Sequence, residues 1–387
     1  MSTIKVTNIE HASTANGGIQ LDNAGHVTVD GLQMPSSGTL GHRNLFINGA
    51  MTISQRGTSF SSTHGNNKYG LDRWNVVVPN TSATLVHSQE SSGGPDGFKY
   101  WLKASPSVVD TSIGGSDYGF IEQKIEGYNI APARFGYSDA KNLTMTFRFK
   151  TNKPGTYCWM FRNGGYANRN LIHEFTPVAD GNWQTISFTI PGDTGGTWHA
   201  DHNSGLMVSL SVANGSNLQS STTDTWFGGQ YYHSTPNQVN FLDSTSNELG
   251  ITGCQIEIGD VATEFEHRSH SDELDRCMRY YETGVCFGMY KTSDDTFGWT
   301  QYSVQKRANP SVEINPPGSN TANNQAYYHS TDTNDRGNRA INEINPILQM
   351  PNQTNFKNGF IATMGGFTPA STNDAMWTGN YIAESEL

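Results

Sequence analysis

Charge is scarce in this chain of 387 residues. Charged residues make up 15% of it, against about 25% in an average globular protein. The formal net charge is −11, which argues against a nucleic-acid partner, because phosphate binding needs clustered lysine and arginine. No apolar run approaches the roughly 18 residues of a membrane span, and the N-terminus lacks the basic and apolar regions of a signal peptide. Membrane insertion is therefore not expected.

Cysteine is also rare. The four cysteines are Cys158, Cys254, Cys277 and Cys286, and no two of them form the C-x-x-C pair that is typical of zinc sites. Cys254 and Cys277 fall on apolar faces, which favours reduced thiols in core positions. The chain also lacks a G-x-S-x-G elbow, a G-x-G-x-x-G loop and a Walker loop. These absences predict that the protein uses no cofactor.

Glycine and polar turn residues are abundant, and they separate short segments of alternating polarity. The 41 glycines exceed the usual roughly 7%, and LTMTFRFK at 143–150 alternates cleanly between apolar and polar residues. The alternation predicts strands at 45–47, 84–87, 98–102, 120–125, 143–150, 157–161, 185–190, 206–212 and 251–258. So many short strands between polar turns predict a β-sandwich of the jelly-roll type.

One short helix interrupts the β pattern. Ser269 can cap it, and Leu274, Cys277, Met278 and Tyr281 follow as one apolar stripe. We interpret this helix as a link between two β modules, with Leu274 and Tyr281 buried. Strands are predicted after it at 285–290, 300–305, 312–314, 324–329, 359–364 and 377–382.

The fold class is therefore all-β, with four regions. We predict a short N-terminal β anchor at 1–40, a jelly-roll sandwich at 41–268, the linking helix at 269–283 and a C-terminal β domain at 284–387. The strands of the N-terminal region are too short to bury a core alone. They need a partner, which is either a neighbouring subunit or a second protein.

Several stretches resemble a signature of tail-fibre and receptor-binding proteins of tailed bacteriophages. The clearest are QIEIG at 255–259 with ATEFEHR at 262–268, and CMRYY at 277–281. The family usually has Pro where Glu264 stands and Gln where Met278 stands. Further similar stretches are GHRNLFING at 41–49, QRG at 55–57, LDRW at 71–74 and GNYIAESEL at 379–387.

The resemblance implies a non-enzymatic virion adhesin. It implies a homotrimer in the tail of the virion, assembled in the host cytoplasm. The N-terminal region would bind other tail or baseplate proteins, and more distal parts would bind a host surface glycan or receptor. The signature carries no catalytic residue.

Two alternatives stay open at this point. One is a structural baseplate or decoration protein, and the other is a capsule-degrading glycosidase that uses two carboxyl groups about 5–10 Å apart. With 35 acidic residues in the chain, the sequence cannot select such a pair.

Aromatic and histidine residues flanked by Gly, Ser, Thr and Asn are the candidates for ligand contact. An aromatic ring can stack on the C–H groups of a sugar while a polar neighbour meets its hydroxyls; alternatively, such rings pack down over a sheet. The segment at 198–202 is also the densest cluster of possible metal ligands, but its spacing defines no coordination geometry, so no metal is predicted. The candidate residues are Trp198, His199, Asp201, His202, Trp226, Tyr231, Tyr232, Tyr327 and Tyr328.

Overall fold

The structure is a computed structural model that describes residues 8–9, 18–29, 32–36, 41–166, 168–229, 232–290, 295–315, 325–329, 337–340, 343–345, 359–365 and 376–387. The chain divides into two compact units, Met1–Ser269 and His270–Leu387. Both are built from antiparallel β-sheets, so the predicted all-β class is confirmed. Within these ranges, no helix is both long and apolar enough to cross a membrane.

The first unit begins with a small sheet of four strands. They are β1 Asn8–Ile9, β2 Ile19–Leu21, β3 Val27–Val29 and β4 Leu32–Gln33. Each strand pairs antiparallel with the next one along the chain. The alternation of IQL and VTV therefore gives this sheet two faces of different polarity.

The body of the first unit is a β-sandwich, as predicted. Its strands are β5 Ser59–Ser62, β6 Lys68–Tyr69, β7 Asn75–Val77, β8 Thr84–Glu90, β9 Trp101–Val108, β10 Tyr118–Glu126, β11 Leu143–Thr151, β12 Tyr157–Asn163, β13 Arg169–Phe175, β14 Gln184–Ile190, β15 Ser204–Asn214, β16 Phe227–Gly228 and β17 Leu249–Ile258. One sheet has the order β16-β13-β12-β15-β10-β7-β6 and the other has the order β14-β11-β17-β9-β8-β5. The chain crosses repeatedly between them, as in a jelly roll. A short helix α1, Gly127–Ile130, follows β10.

Residues two apart along the strands form the core of the sandwich. In β11, Phe147 and Phe149 are completely buried, and the ring centre of Phe147 lies 5.3 Å from that of Trp159 on the opposing sheet. Burying large rings from both sheets is the main favourable contribution to folding here. This core holds the connecting loops at fixed positions.

Several local predictions differ from the structure, and two in the first unit show why. The strand β13, RNLIHEF, is not predicted because Asn, His and Glu interrupt its apolar residues. The predicted strand at 45–47 is wrong, since that segment has no ladder of its own. Instead the Ile47 N–H donates to Gln123 Oε1 at 2.8 Å, and Asn48 turns the chain with a φ of 59°. A side-chain amide thus takes the place of a strand partner.

The stretches that resemble the phage signature join the start of the body to its end. We call this the signature clasp, and it consists of Asn44, Glu257, Thr263 and Glu266. The Asn44 side chain donates to the Cys254 carbonyl at 2.9 Å, while its backbone N–H donates to Glu266 Oε2 at 2.8 Å. Glu257 accepts from the N–H and the hydroxyl of Thr263 at 2.9 and 2.8 Å. These hydrogen bonds therefore fix the first segment of the body to its last strand and to the segment that follows that strand.

The described residues of the second unit form one helix and one sheet. The helix α2 is His270–Met278, and the strands are β18 Tyr281–Tyr290, β19 Asp295–Gln301, β20 Ser311–Asn315, β21 Gln325–His329, β22 Gly337–Ala340, β23 Glu343–Asn345, β24 Gly359–Gly365 and β25 Met376–Glu384. Their order is β22-β21-β25-β18-β19-β24-β23, with β20 paired to β25. Buried Glu282 accepts hydrogen bonds from Tyr381 at 2.6 Å and from the Ser303 N–H at 2.9 Å, and it also contacts the Lys306 ammonium group.

The predicted apolar stripe of the helix is wrong in part. The helix ends at Met278, so Tyr281 is buried as the first residue of β18 rather than on a helical face. Leu274 is only half-buried, whereas Glu273 and Cys277 are buried. The buried face of the helix is thus turned by one residue from the apolar one. All four cysteines are buried free thiols, and the core positions predicted for Cys254 and Cys277 are confirmed.

Candidate functional site

Three loops meet at one end of the sandwich. Residues 127–142 connect β10 to β11, residues 164–168 connect β12 to β13, and residues 191–203 connect β14 to β15. The Gly127 N–H donates to the Asn203 carbonyl at 2.8 Å, and the Gly136 N–H donates to the Asp193 carbonyl at 2.7 Å. Backbone hydrogen bonds therefore tie the first loop to the third.

Three glycines in the first two loops pack against the third loop. A Cβ on Gly127 would lie 2.5 Å from the His199 carbonyl oxygen, and a Cβ on Gly165 would lie 2.2 Å from His199 Nε2. Gly136 has a φ of 88°, and a Cβ there would lie 3.2 Å from Trp198 Cδ1. A larger residue at Gly127 or Gly165 would collide with the Trp198-His199 segment, so close approach of these loops requires glycine.

A tyrosine follows each of these glycines, and all three tyrosines are exposed. The exposed fraction is 58% for Tyr128, 59% for Tyr137 and 48% for Tyr166. Tyr166 stacks on His199, with ring centres 4.8 Å apart and planes 19° apart. The Arg134 guanidinium lies 4.8 Å from the centre of the Tyr137 ring. Together with His199 and Asp201, these three tyrosines form what we call the Gly-Tyr surface.

The polar part of the Gly-Tyr surface is centred on Asp201. Its carboxylate lies 3.2 Å from His199 Nδ1 and accepts hydrogen bonds from the backbone and side chain of Asn203 at 2.9 and 2.8 Å. Desolvation opposes ionisation of Asp201, but the hydrogen bonds from Asn203 and the nearby His199 and His202 outweigh it and lower its pKa. Asp201 is therefore an ionised acceptor beside a stacked imidazole.

Buried polar groups keep the third loop in place. Arg169 binds Asp193 through two hydrogen bonds, at 2.8 and 2.6 Å, and Asp193 is 1% exposed. The Asn163 side chain donates to the Thr197 carbonyl at 3.0 Å. A charged bidentate pair inside the protein fixes geometry as well as contributing energy. The loop thus presents His199 and Asp201 from a rigid support.

The two tryptophans of the sequence prediction lie beneath this surface. Trp198 and Trp226 pack edge to face at 5.3 Å, and both contact Phe135, at 4.8 and 5.6 Å. Trp226 is 9% exposed and donates its indole N–H to the Pro191 carbonyl at 2.7 Å. The expectation of Trp226 as an open ligand contact is therefore corrected, because its ring is used to fill the core.

The remaining predicted residues are placed elsewhere. Tyr232 is half-buried and lies 5.5 Å from the Phe227 ring, and Tyr231 lies outside the described residues. Tyr327 and Tyr328 belong to β21, within the strand predicted at 324–329, and their backbones pair with Thr378 and Trp377. Their side chains lie outside what is described. No group of three or more His, Cys, Asp or Glu side chains in the described ranges could hold a metal ion.

Sequence reasoning finds the 198–202 segment but misses the tyrosines around it. The available signal is the Gly-Tyr pair, which occurs at 127–128, 136–137 and 165–166 and each time follows a predicted strand in the same domain. Nothing local shows that the three pairs converge, because they lie on two different loops.

No family model matches the chain, and no curated protein matches it. Among solved structures, the enzymatically active domain of tailspike protein 4 of bacteriophage CBA120 is 8% identical, with 56% of this chain and 21% of that chain covered and a TM-score of 0.29. The chain thus spans about a fifth of that domain.

Two carbohydrate-binding structures give similar scores. A family 11 carbohydrate-binding module from Clostridium thermocellum, in complex with a β-1,3-1,4-mixed-linked tetrasaccharide, is 12% identical, with 54% and 100% covered and a TM-score of 0.27. The N-terminal CBM22-1-CBM22-2 tandem domain of Xyn10C from Paenibacillus barcinonensis is 8% identical, with 89% and 98% covered and a TM-score of 0.28. These likenesses are too low to carry an argument about function.

Proposed function

We propose that this chain is a tail-fibre or receptor-binding protein of a tailed bacteriophage that attaches the virion to a host surface glycan through the Gly-Tyr surface. The protein is a non-enzymatic homotrimer, and its N-terminal region binds other tail or baseplate proteins. The signature-like stretches support the phage family. The observation that carries glycan binding is the set of three exposed tyrosines around His199 and Asp201.

Exposed tyrosines on rigid loops suit a sugar ligand. A tyrosine ring offers a flat apolar face and a hydroxyl at little cost in conformational entropy. The three tyrosines are 48–59% exposed, with one face of the Tyr166 ring covered by His199. The C–H face of a pyranose can stack on such a ring, while Asp201 and His199 meet its hydroxyls. Loops held by a rigid scaffold are where binding residues concentrate.

The carboxylates here suit binding better than cleavage. A glycosidase needs a general acid whose pKa is raised. At this end the hydrogen bond from Arg134 lowers the pKa of Asp139, and the pKa of Asp201 is lowered as well. Both groups are therefore ionised near neutral pH and cannot donate a proton to a leaving oxygen.

The test is binding of the full-length protein to an array of bacterial surface polysaccharides. We expect binding to at least one polysaccharide and a loss of about 5–30-fold in apparent affinity for Tyr166→Ala or Tyr128→Ala, the range for truncating a central aromatic contact. Val178→Ala is the matched control, since Val178 is 62% exposed on the loop after β13, at the other end of the sandwich. Equal binding by all variants would reject the Gly-Tyr surface, and oligosaccharides released by the wild type would show an enzyme.

A structural role in the virion has its own supporting observation. The N-terminal region leaves the body at the same end, since the Asp260 N–H donates to Ser36 Oγ at 2.8 Å and Ile258 pairs with Leu143 at the start of β11. The Gly-Tyr surface could thus contact a neighbouring virion protein. Tyrosine variants that fail to enter particles, combined with a wild type that binds no polysaccharide, would favour this role over the proposed one.

A further inference from the structure

The outer side of the six-stranded sheet carries basic residues near one end. Phe147 and Phe149 of β11 lie in the core. Arg148 and Lys150, which alternate with them, therefore point to the opposite side of the sheet. Arg148 pairs with Thr185 of β14, and directly paired residues share a side. This end lies away from the Gly-Tyr surface, whose first loop enters the other end of β11.

Two tryptophans hold Lys150 in place. Its ammonium group lies 3.9 Å from the centre of the Trp101 ring and 5.2 Å from that of the Trp183 ring. The two indoles pack edge to face at 5.4 Å, and Trp183 donates its indole N–H to the Gly93 carbonyl at 2.8 Å. Trp183 is nevertheless only half-buried. These contacts fix the orientation of an aromatic ring that solvent still reaches.

Arg148, in contrast, has no hydrogen bond or ion pair with any residue that the structure describes. The Glu248 carboxylate is occupied by Lys103 at 2.6 Å and by Lys150 at 3.5 Å. The stem of Arg148 lies against β17, since a Cβ on Gly253 would be 3.2 Å from Arg148 Cγ. The side chain is thus supported along its stem, while the guanidinium group keeps its five N–H donors for another partner.

Arg148, Trp183 and Thr185 are close enough to contact one ligand. Thr185 lies opposite Arg148 and Trp183 is two residues before it, and such diagonal neighbours are about 7–8 Å apart, within reach of long and aromatic side chains. A guanidinium group binds a carboxylate through two parallel hydrogen bonds. The indole offers a flat apolar surface for a sugar ring, and the exposed Thr185 can meet a sugar hydroxyl. We call Arg148, Lys150, Trp183 and Thr185 the Arg-Trp patch.

We infer that the Arg-Trp patch binds a sugar ring that carries a carboxylate, as a second glycan site beside the Gly-Tyr surface. The inference goes beyond the proposed function, because neither the phage signature nor the Gly-Tyr surface includes these residues. The two sites differ in charge, since the Gly-Tyr surface presents ionised Asp201 and the patch presents Arg148. The whole chain carries −11 and does not attract polyanions in general, so an acidic glycan needs a local site of this kind.

The experiment is surface plasmon resonance of the full-length protein over three immobilised polymers. Polygalacturonate carries a carboxylate on each sugar ring, its methyl ester keeps the ring without the charge, and polyglutamate keeps the charge without the ring. Wild type should bind only polygalacturonate. Arg148→Gln should weaken this binding by about 10–100-fold, the range for losing a hydrogen-bonded contact with a charged group.

Two matched variants isolate the patch. Lys68→Gln removes the same charge from an exposed lysine of β6, in the other sheet, and should bind polygalacturonate as the wild type does. Tyr166→Ala should also bind it normally, because it changes only the Gly-Tyr surface. Denaturation curves of Arg148→Gln and Lys68→Gln should match that of the wild type, which shows that any loss of binding is not a loss of folding.

Each other result overturns the inference in a distinct way. A wild type that does not bind polygalacturonate would remove the site. Equal binding to polyglutamate would show attraction of charge alone, and equal binding to the methyl ester would remove the role of Arg148. Weakened binding by Lys68→Gln would assign the effect to net charge, and weakened binding by Tyr166→Ala would place the acidic sugar on the Gly-Tyr surface. The proposed function is judged separately, by the polysaccharide array, and can fail while the patch still binds.

Discussion

The signature clasp and the Gly-Tyr surface lie on the same sandwich and could hardly differ more. In the clasp, the residues that resemble a phage signature are buried and hydrogen-bonded to one another or to the backbone, as Asn44 and Glu257 show. On the surface, Tyr128 and Tyr166 belong to no recognisable motif and are exposed by 58% and 48%. The comparison teaches that the recognisable residues stabilise the fold, whereas the candidate binding residues are those that the fold leaves uncovered.

The largest loss of stability should come from replacing Trp226, which lies beneath the Gly-Tyr surface. Trp226→Ala should lower the free energy of unfolding by about 3–5 kcal/mol, the usual cost of truncating a buried aromatic residue. Chemical denaturation measures it. Trp226→Phe keeps most of the ring volume and should cost clearly less. A stable Trp226→Ala protein that has lost only glycan binding would contradict the buried role and return Trp226 to the ligand contacts.

A substitution in the signature clasp should cause the next largest loss of stability. Asn44→Ala removes three hydrogen bonds, to the Cys254 carbonyl and from the Phe46 and Ile256 N–H groups, and leaves buried backbone groups without partners. We expect a loss of about 2–4 kcal/mol in the free energy of unfolding, with glycan binding unchanged below the melting temperature. Asn44→Asp keeps the two accepting bonds but places a buried carboxylate against the Cys254 carbonyl oxygen, so it should cost at least as much. An unchanged melting curve for Asn44→Ala would separate the signature from stability and break the comparison.

Acid should lower the free energy of unfolding because two buried histidines resist protonation in the folded protein. Burial lowers the pKa of His87 to about 4, and burial together with the Arg162 charge lowers that of His233 to about 3. In the unfolded chain each would titrate near 6.5, so the unfolded state binds more protons below that pH. The stabilisation that depends on neutral histidines is fully present above pH 6.5 and is lost as the pH falls to about 4. For His87 this loss in the free energy of unfolding is about 3 kcal/mol.

Denaturation curves between pH 7 and pH 4 test this acid dependence. His87→Leu should flatten the dependence, while His233 still contributes its share. If wild type and His87→Leu lose stability in parallel over this range, protonation of His87 does not explain the acid sensitivity.

The smallest effect on stability should come from the surface tyrosines. Tyr128→Ala and Tyr166→Ala should change the free energy of unfolding by less than about 0.5 kcal/mol, as exposed substitutions usually do. Their effect should appear on polysaccharide-coated surfaces instead, where the proposed homotrimer would amplify a weak contact. Tyr166→Phe keeps the ring and should retain most of the binding. A tyrosine variant that unfolds early would show that these rings support the loops and would erase the contrast with the clasp.

Period-two alternation made most of the sandwich predictable. β11 and β17 begin and end within two residues of their predicted positions, because alternation is local and each strand buries one face. β13 was not predicted because polar residues interrupt its apolar pattern. In the structure, His173 binds Asp224, and Glu174 accepts hydrogen bonds from Thr235 and Asn237. No local pattern shows these partners. The predicted buried face of the helix is off by one residue for the same kind of reason. Glu273 is charged, yet its surroundings in the folded protein bury it.

The sequence by itself determined the all-β class, the two-residue period of the strands and the residues of the signature, because all of these depend on neighbours along the chain. Only the tertiary structure decided which aromatic residues are open. Trp226 and Tyr166 both stand among polar turn residues, yet one is in the core and the other is on the surface. The difference comes from contacts across long stretches of chain, such as Trp226 with Pro191 and Tyr166 with His199, and those contacts exist only once the two sheets have packed together.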